Sequence, residues 1–155
     1  GLSESIDTII EEWNCMAAYE YKYNVGLLPY SFEYLTKLKE AHIKLAVATG
    51  LPEELYKPCL LHNGIYEMFD ALCSTDQVER GKEYPDVFLL AAKALQVSPA
   101  KCAVYEDVLQ AVKSAKQAGM IVYGKYSAHH QSEISTLADG YLLDFQNAPL
   151  PRREV

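Results

Sequence analysis

The chain has 155 residues, of which half are hydrophobic and 23% are charged, and its formal net charge is −7. That length and balance suit one globular domain with a core of its own, and the acid excess argues against a nucleic-acid footprint or an anionic membrane surface, which need clustered Lys and Arg. The basic residues are scattered apart from Arg152 and Arg153 at the tail, no apolar run approaches the roughly 18 residues of a membrane-spanning helix, and Gly1 to Ile10 lacks the zones of a signal peptide. A cytoplasmic protein is expected, with neither nucleic acid nor membrane as partner.

In chain order, Ser5 is placed to cap a helix in which Ile6, Ile9, Ile10, Trp13 and Met16 recur at helical spacing, predicting one face buried against a neighbour. Tyr19, Tyr21 and Tyr23 alternate as in a strand, yet Tyr19 and Tyr23 also stand four apart, and the stretch is read as more of the helix. Pro29 and Ser31 open a second helix carrying Phe32, Leu35 and Leu38, and IKLAVA (Ile43 to Ala48) is a continuous apolar run, the pattern of a strand covered on both faces. A turn and a helix start follow at TGLPEEL, with Pro52 near the first turn. Next come a strand-like DALCS (Asp70 to Ser74), a polar loop, the helix PDVFLLAAKALQV, the strand CAVYE, a helix closed by Gly119, and the strand MIVYG. The tail offers a short helix around Ile134 and a last strand, YLLDF. Alternating strands and helices with buried strands predict an α/β, doubly wound (Rossmann-like) parallel sheet with helices on both faces.

Cys15, Cys59, Cys73 and Cys102 are widely spaced with no CxxC pair, so they read as free buried thiols rather than a zinc or redox site. The histidines show no metal-ligand spacing, and the adjacent His129 and His130 read as loop residues.

In such a sheet ligands bind beyond the carboxyl ends of the strands. Thr49 and Gly50 follow IKLAVA, Glu106 and Asp107 end CAVYE, and Lys82 lies between them in a loop that opens a helix. A hydroxyl beside a backbone N–H, an ammonium and two carboxylates are the groups that hold a phosphate together with a divalent cation. Singly each has an ordinary structural role, as a turn residue, a solvated lysine or a complement to a helix dipole; the order strand-Thr, Lys-x-x-Pro-Asp, strand-Glu-Asp is what makes them a candidate site.

These motifs resemble the haloacid dehalogenase-like (HAD) superfamily in its β-phosphoglucomutase and small-phosphatase branch. LAVATG resembles the second family motif, and GKEYPDVFLLAAKALQVSPAKCAVYEDV resembles the third and fourth run together, with QAGMIVYG continuing the likeness; it extends from about Leu28 to Phe145. The resemblance implies Thr49, Gly50 and Lys82 as phosphate-binding groups, with Thr49 and Lys82 in the catalytic machinery, and Glu106 and Asp107 as seats for Mg2+. It also implies that residues 1–27 are the tail of a helical cap and 28–155 the core. Glu83, Val108 and Ala111 stand where the family commonly has Pro, Ser and Gly.

One part is missing. The family's reaction begins at an aspartate in a DxD motif on the central strand, which forms an aspartyl-phosphate, and no DxD occurs in these 155 residues. Asp7, Asp70, Asp76, Asp86, Asp139 and Asp144 each lack the preceding apolar strand and the second aspartate. By the family's strand order the absent strand lies between those ending at Thr49 and Glu106. Unpaired interior edges cost about 1 to 3 kcal/mol per unsatisfied group. The strand is therefore expected from upstream residues, a partner chain or a swapped protomer, unless the flanking strands close up. The resulting expectation is a Mg2+-dependent phosphatase acting on a small phosphorylated metabolite, with its nucleophile outside this stretch. The alternatives are a phosphomutase of the β-phosphoglucomutase type and an inactive phosphate- or Mg2+-binding module. A phosphoacceptor signalling domain is disfavoured, because there the acids come first and the lysine last.

Overall fold

The computed structural model describes residues 5–126 and 129–150, so Arg152 and Arg153 lie outside the described residues. Helices and strands alternate: α1 (Ile6–Tyr23), α2 (Ser31–Glu40), β1 (Ala46–Thr49), α3 (Glu53–His62), β2 (Ala71–Ser74), α4 (Asp86–Leu95), β3 (Ala103–Glu106), α5 (Leu109–Gln117), β4 (Ile121–Lys125), α6 (Gln131–Leu137) and β5 (Gly140–Leu142). The Ser5 hydroxyl accepts from the Thr8 N–H at 3.2 Å and so fixes the start of α1. Strand β1 begins three residues later than the apolar run suggests. The Ile43 N–H is taken by Leu38 O at the end of α2, and the Leu45 N–H by Asp70, so neither amide is free for the ladder.

All strand pairs are parallel, but they form two ladders rather than one sheet: β1–β2, and β3–β4–β5. β1 and β3 do not close up. A slot of about 780 Å³ separates them, lined by Ala46 and Ala48 on one side and by Ala103, Val104 and Tyr105 on the other.

Two apolar layers bridge the halves. On one face, Phe88, Ala91 and Ala92 of α4 share a core with Cys73 of the first ladder, Val122 of the second, and Ala111 and Val112 of α5. On the opposite face, Tyr34 and Leu38 of α2 pack with Leu45 and reach Tyr105 and Phe145. The strands alternate accordingly: Val104 faces the α4 layer and Tyr105 the α2 layer. Helices thus cover both faces of the split sheet, as the doubly wound pattern requires.

Two expectations are corrected. Helix α1 packs against α3 yet has no buried residue, and Ile6 and Trp13 are 76% and 67% exposed, because it lies beyond the layers that cover the sheet. All four cysteines are free, but only Cys73 is buried; Cys15 shares the exposure of α1. Among the described residues, no helix is long and apolar enough to cross a membrane.

The same clamp occurs once in each ladder. Asp70, just before β2, accepts the Leu45 N–H at 2.8 Å and pairs with Lys39 of α2. Asp139, just before β5, accepts the Val122 N–H at 2.8 Å and pairs with Lys116 of α5. The Leu45 amide chiefly holds the Asp70 carboxyl below its ordinary range, and Lys116 chiefly does so for Asp139. A carboxyl depressed in the folded state adds stability that is present above its unfolded pKa, about 3.9, and is lost as pH falls through the folded value. Asp139→Asn should therefore lower the melting temperature at pH 7 and lose less further stability than the parent between pH 4 and pH 2, as followed by circular dichroism. Gly124 offers a steric test: a Cβ there would sit 2.5 Å from Ile134 Cγ2 and 3.2 Å from Tyr141. Gly124→Ala should cost about 1 to 3 kcal/mol in urea unfolding, because Ile134 is fully buried and has nowhere to move.

Candidate functional site

The carboxyl ends of the strands bring the predicted residues to one rim. Thr49 ends β1, and its hydroxyl accepts the Leu51 N–H at 3.0 Å, a turn that leaves its own O–H available as a donor. A methyl built on Gly50 would lie 3.8 Å from Lys82 Cδ, so the turn after β1 abuts the lysine stem. The Lys82 ammonium donates to Glu106 Oε2 at 2.5 Å and stands 5.6 Å from the centre of the Phe88 ring. The Glu106 side chain is 7% exposed and that of Lys82 27%. The pair therefore joins the turn before α4, which carries Lys82, to the end of β3, which carries Glu106.

Glu106 and Asp107, adjacent in sequence, are placed differently. Glu106 Oε1 accepts the N–H groups of Asp107 and Val108 at 3.1 and 3.2 Å, so both of its oxygens are engaged and its buried charge is balanced. The Asp107 carboxylate is exposed and has no hydrogen-bond or ion-pair partner among the described residues. No group of three His, Cys, Asp or Glu side chains that could hold a metal occurs among the described residues. Mg2+ commonly takes one or two carboxylates and completes its six oxygens with water and phosphate, so the donor set fits an ion anchored at Asp107 better than one chelated by both acids. Beside the acids, a recess of about 320 Å³ opens between Leu28, Tyr105, Asp107, Lys125, Tyr126 and Phe145.

A further constellation was not read from the sequence. The Tyr34 and Tyr105 hydroxyls lie 2.6 Å apart, and Tyr34 donates to Pro149 O at 2.6 Å. Burial pushes both phenols upward, Tyr105 strongly. This network ties α2 to β3 and to the tail, one residue before Glu106; a tyrosine at an inward position of an otherwise aliphatic strand was the available signal. Of the three departures from the family pattern, Ala111 is 1% exposed in the core, Val108 is exposed, and the Glu83 carboxylate folds back over Gly81, where a Cβ would meet Oε2 at 2.5 Å.

A family model described as haloacid dehalogenase-like hydrolase matches residues 3–119. The chain is 31% identical over 121 residues to validoxylamine A 7'-phosphate phosphatase of Streptomyces hygroscopicus subsp. limoneus, a match covering 78% of this chain and 56% of that protein. It is 38% identical over 93 residues to the phosphorylated carbohydrates phosphatase of Thermotoga maritima, covering 59% and 43% respectively. Among solved structures, a β-phosphoglucomutase-like protein of Thermotoga maritima superposes with a TM-score of 0.82 at 26% identity, covering 91% of this chain and 67% of that one. The chain thus spans about half the length of these two curated relatives.

Removing one partner of the buried pair isolates its role. Lys82→Met leaves the Glu106 carboxylate with amide donors alone and should cost about 2 kcal/mol, whereas Lys82→Met/Glu106→Leu should recover part of that loss. Urea unfolding of the parent, both single variants and the double variant measures the coupling; equal losses in the single and the double would show that the pair is not what Lys82 contributes.

Proposed function

Because the chain belongs to the haloacid dehalogenase-like hydrolase family, we propose that it carries the phosphate-holding rim of a Mg2+-dependent phosphatase for a small phosphorylated metabolite. The observation that carries this reading is the meeting of Gly50, Lys82 and Glu106 at the carboxyl ends of two strands that do not pair with each other. In this reading Lys82 donates to a phosphoryl oxygen while Glu106 holds the ammonium in place. The Thr49 O–H and the backbone at Gly50 donate from the opposite side. Asp107 anchors Mg2+ from the chain's side, with Glu106 orienting the Asp107 and Val108 amides behind it. When bound, Mg2+ supplies positive charge against the oxygens of the transferring group. The nucleophilic carboxylate comes from outside these 155 residues. Residues 1–27 then serve as cap and 28–155 as core, and the recess near Lys125 and Tyr126 receives the body of the metabolite.

Hydrolysis is placed ahead of mutase chemistry because the two curated relatives compared above are phosphatases by name. Calorimetric titration of the chain with inorganic phosphate in the presence of Mg2+ should show binding that weakens at least tenfold in Lys82→Ala and in Asp107→Asn. In a longer protein that includes the nucleophile, either substitution should lower phosphatase kcat/KM by two or more orders of magnitude. Full activity in both variants would refute the assignment, and binding without turnover in the longer protein would favour a non-catalytic phosphate module.

A further inference from the structure

Lys82 reaches the rim from a loop, not from a helix or strand, and its long unbranched side chain has many rotamers to lose when it is held in one place. The segment around it, RGKEYPD (Arg80 to Asp86), is closed from outside. The Arg80 guanidinium donates twice to the Asp86 carboxylate, from Nε to Oδ2 at 2.8 Å and from Nη2 to Oδ1 at 2.6 Å, the planar fork that an arginine can form and a lysine cannot. The same guanidinium stands 4.4 Å from the centre of the Tyr84 ring. Inside this closure the Tyr84 N–H donates to Gly81 O at 2.9 Å, a turn with Lys82 and Glu83 as its central residues. Asp86 opens α4, and the next two residues, Val87 and Phe88, are buried in the core.

The lysine is thus held at two points: its ammonium by Glu106, and its backbone by a clamp fastened to the rigid start of α4. Two simpler roles do not account for the clamp. A carboxylate in the first turn of a helix complements the dipole by itself, with no need of a forked partner earlier in the chain or of a ring against that partner. A gain in overall stability does not account for it either, since the Arg80 side chain is 52% exposed and that of Asp86 18%, and exposed ion pairs add little to the free energy of unfolding. A contact of defined two-bond geometry that is weak globally acts on what lies inside the loop it closes, and that is Lys82.

We propose that Arg80 is a positioning residue, which through Asp86 and Tyr84 closes the 80–86 loop and sets the reach of the Lys82 ammonium toward the rim. The consequence for phosphate rests on the reading of Lys82 as a phosphate-holding group; the placement of Lys82 does not. Positioning also fixes the sign of one effect. Asp86 is an anion four residues from Lys82, and by charge alone its removal would strengthen the binding of another anion. If Asp86 acts by anchoring the clamp, its removal weakens that binding instead.

Arg80→Gln, Arg80→Lys and Asp86→Asn in the 155-residue chain are read in two ways. Limited acetylation with acetic anhydride, quantified by peptide mass spectrometry, compares Lys82 with Lys113, an exposed residue of α5. Lys82 should react more slowly than Lys113 in the parent, and about three- to fivefold faster in each variant, with Lys113 unchanged; Arg80→Lys keeps the charge but not the fork and should not restore the parent rate. Calorimetric titration with inorganic phosphate and Mg2+ should show binding about three- to fivefold weaker in Arg80→Gln and in Asp86→Asn, while Arg80→Gln/Lys82→Ala binds no more weakly than Lys82→Ala alone, because Arg80 acts only through Lys82. Urea midpoints should stay close to that of the parent. Lys82 acetylation at the parent rate in all three variants would overturn the proposal, as would tighter phosphate binding in Asp86→Asn, losses that multiply in the double variant, or a large fall in the urea midpoint. If the parent itself binds no phosphate, the phosphate-holding reading falls, and the acetylation rates decide the placement of Lys82 on their own.

Discussion

The ion pair between Lys82 and Glu106 is the contact on which the arrangement at the carboxyl end depends. β1 and β3 share no ladder, so at this rim the two halves of the sheet meet through side chains. A carboxylate as buried as Glu106 is tolerable only when its lost hydration is replaced, and here an ammonium and two backbone amides replace it. One electrostatic requirement therefore fixes the lysine beside the end of β3, the direction of the chain after β3, and the outward placement of Asp107.

Elsewhere the halves are held by packing. Helix α4 spans both ladders on one face, and the Tyr34–Tyr105–Pro149 network with its stacked rings spans them on the other. These layers hold β1 and β3 on either side of the slot without any ladder between them. The superposition on a solved relative, with a TM-score of 0.82 over 91% of this chain and 67% of that one, agrees with that arrangement. Polar backbone at the slot edges can be hydrated, so an open slot costs less than the same groups would if sealed in apolar surroundings.

The parts of the fold that were legible share a physical origin. Continuous apolar runs marked β1, β3 and β4 because strands covered on both faces must be apolar at successive positions, and Gly119, with φ +78, marked the end of α5 because the left-handed region favours glycine. Strand ends were less legible. The amides that would have extended β1 are claimed by a helix end and by Asp70, a residue 25 positions away from Leu45. The stripe on α1 signalled a helix correctly but not burial, since periodicity reports a face and not what covers it.

Within the candidate site, Thr49, Gly50, Lys82, Glu106 and Asp107 were recognisable as residue types at strand ends, because the chain direction in a parallel sheet sends every such end to the same side. That much the amino-acid sequence determined by itself: the class of fold, the side on which chemistry would gather, and the lack of an aspartate strand among these residues. Only the tertiary structure decided how the two acids differ, with Glu106 turned inward to a cation and two amides and Asp107 turned out to solvent, and that β1 and β3 stand apart with their edges facing. Both outcomes depend on which groups from distant parts of the chain arrive to replace water around a charge or an amide. Local spacing along the chain carries no record of that.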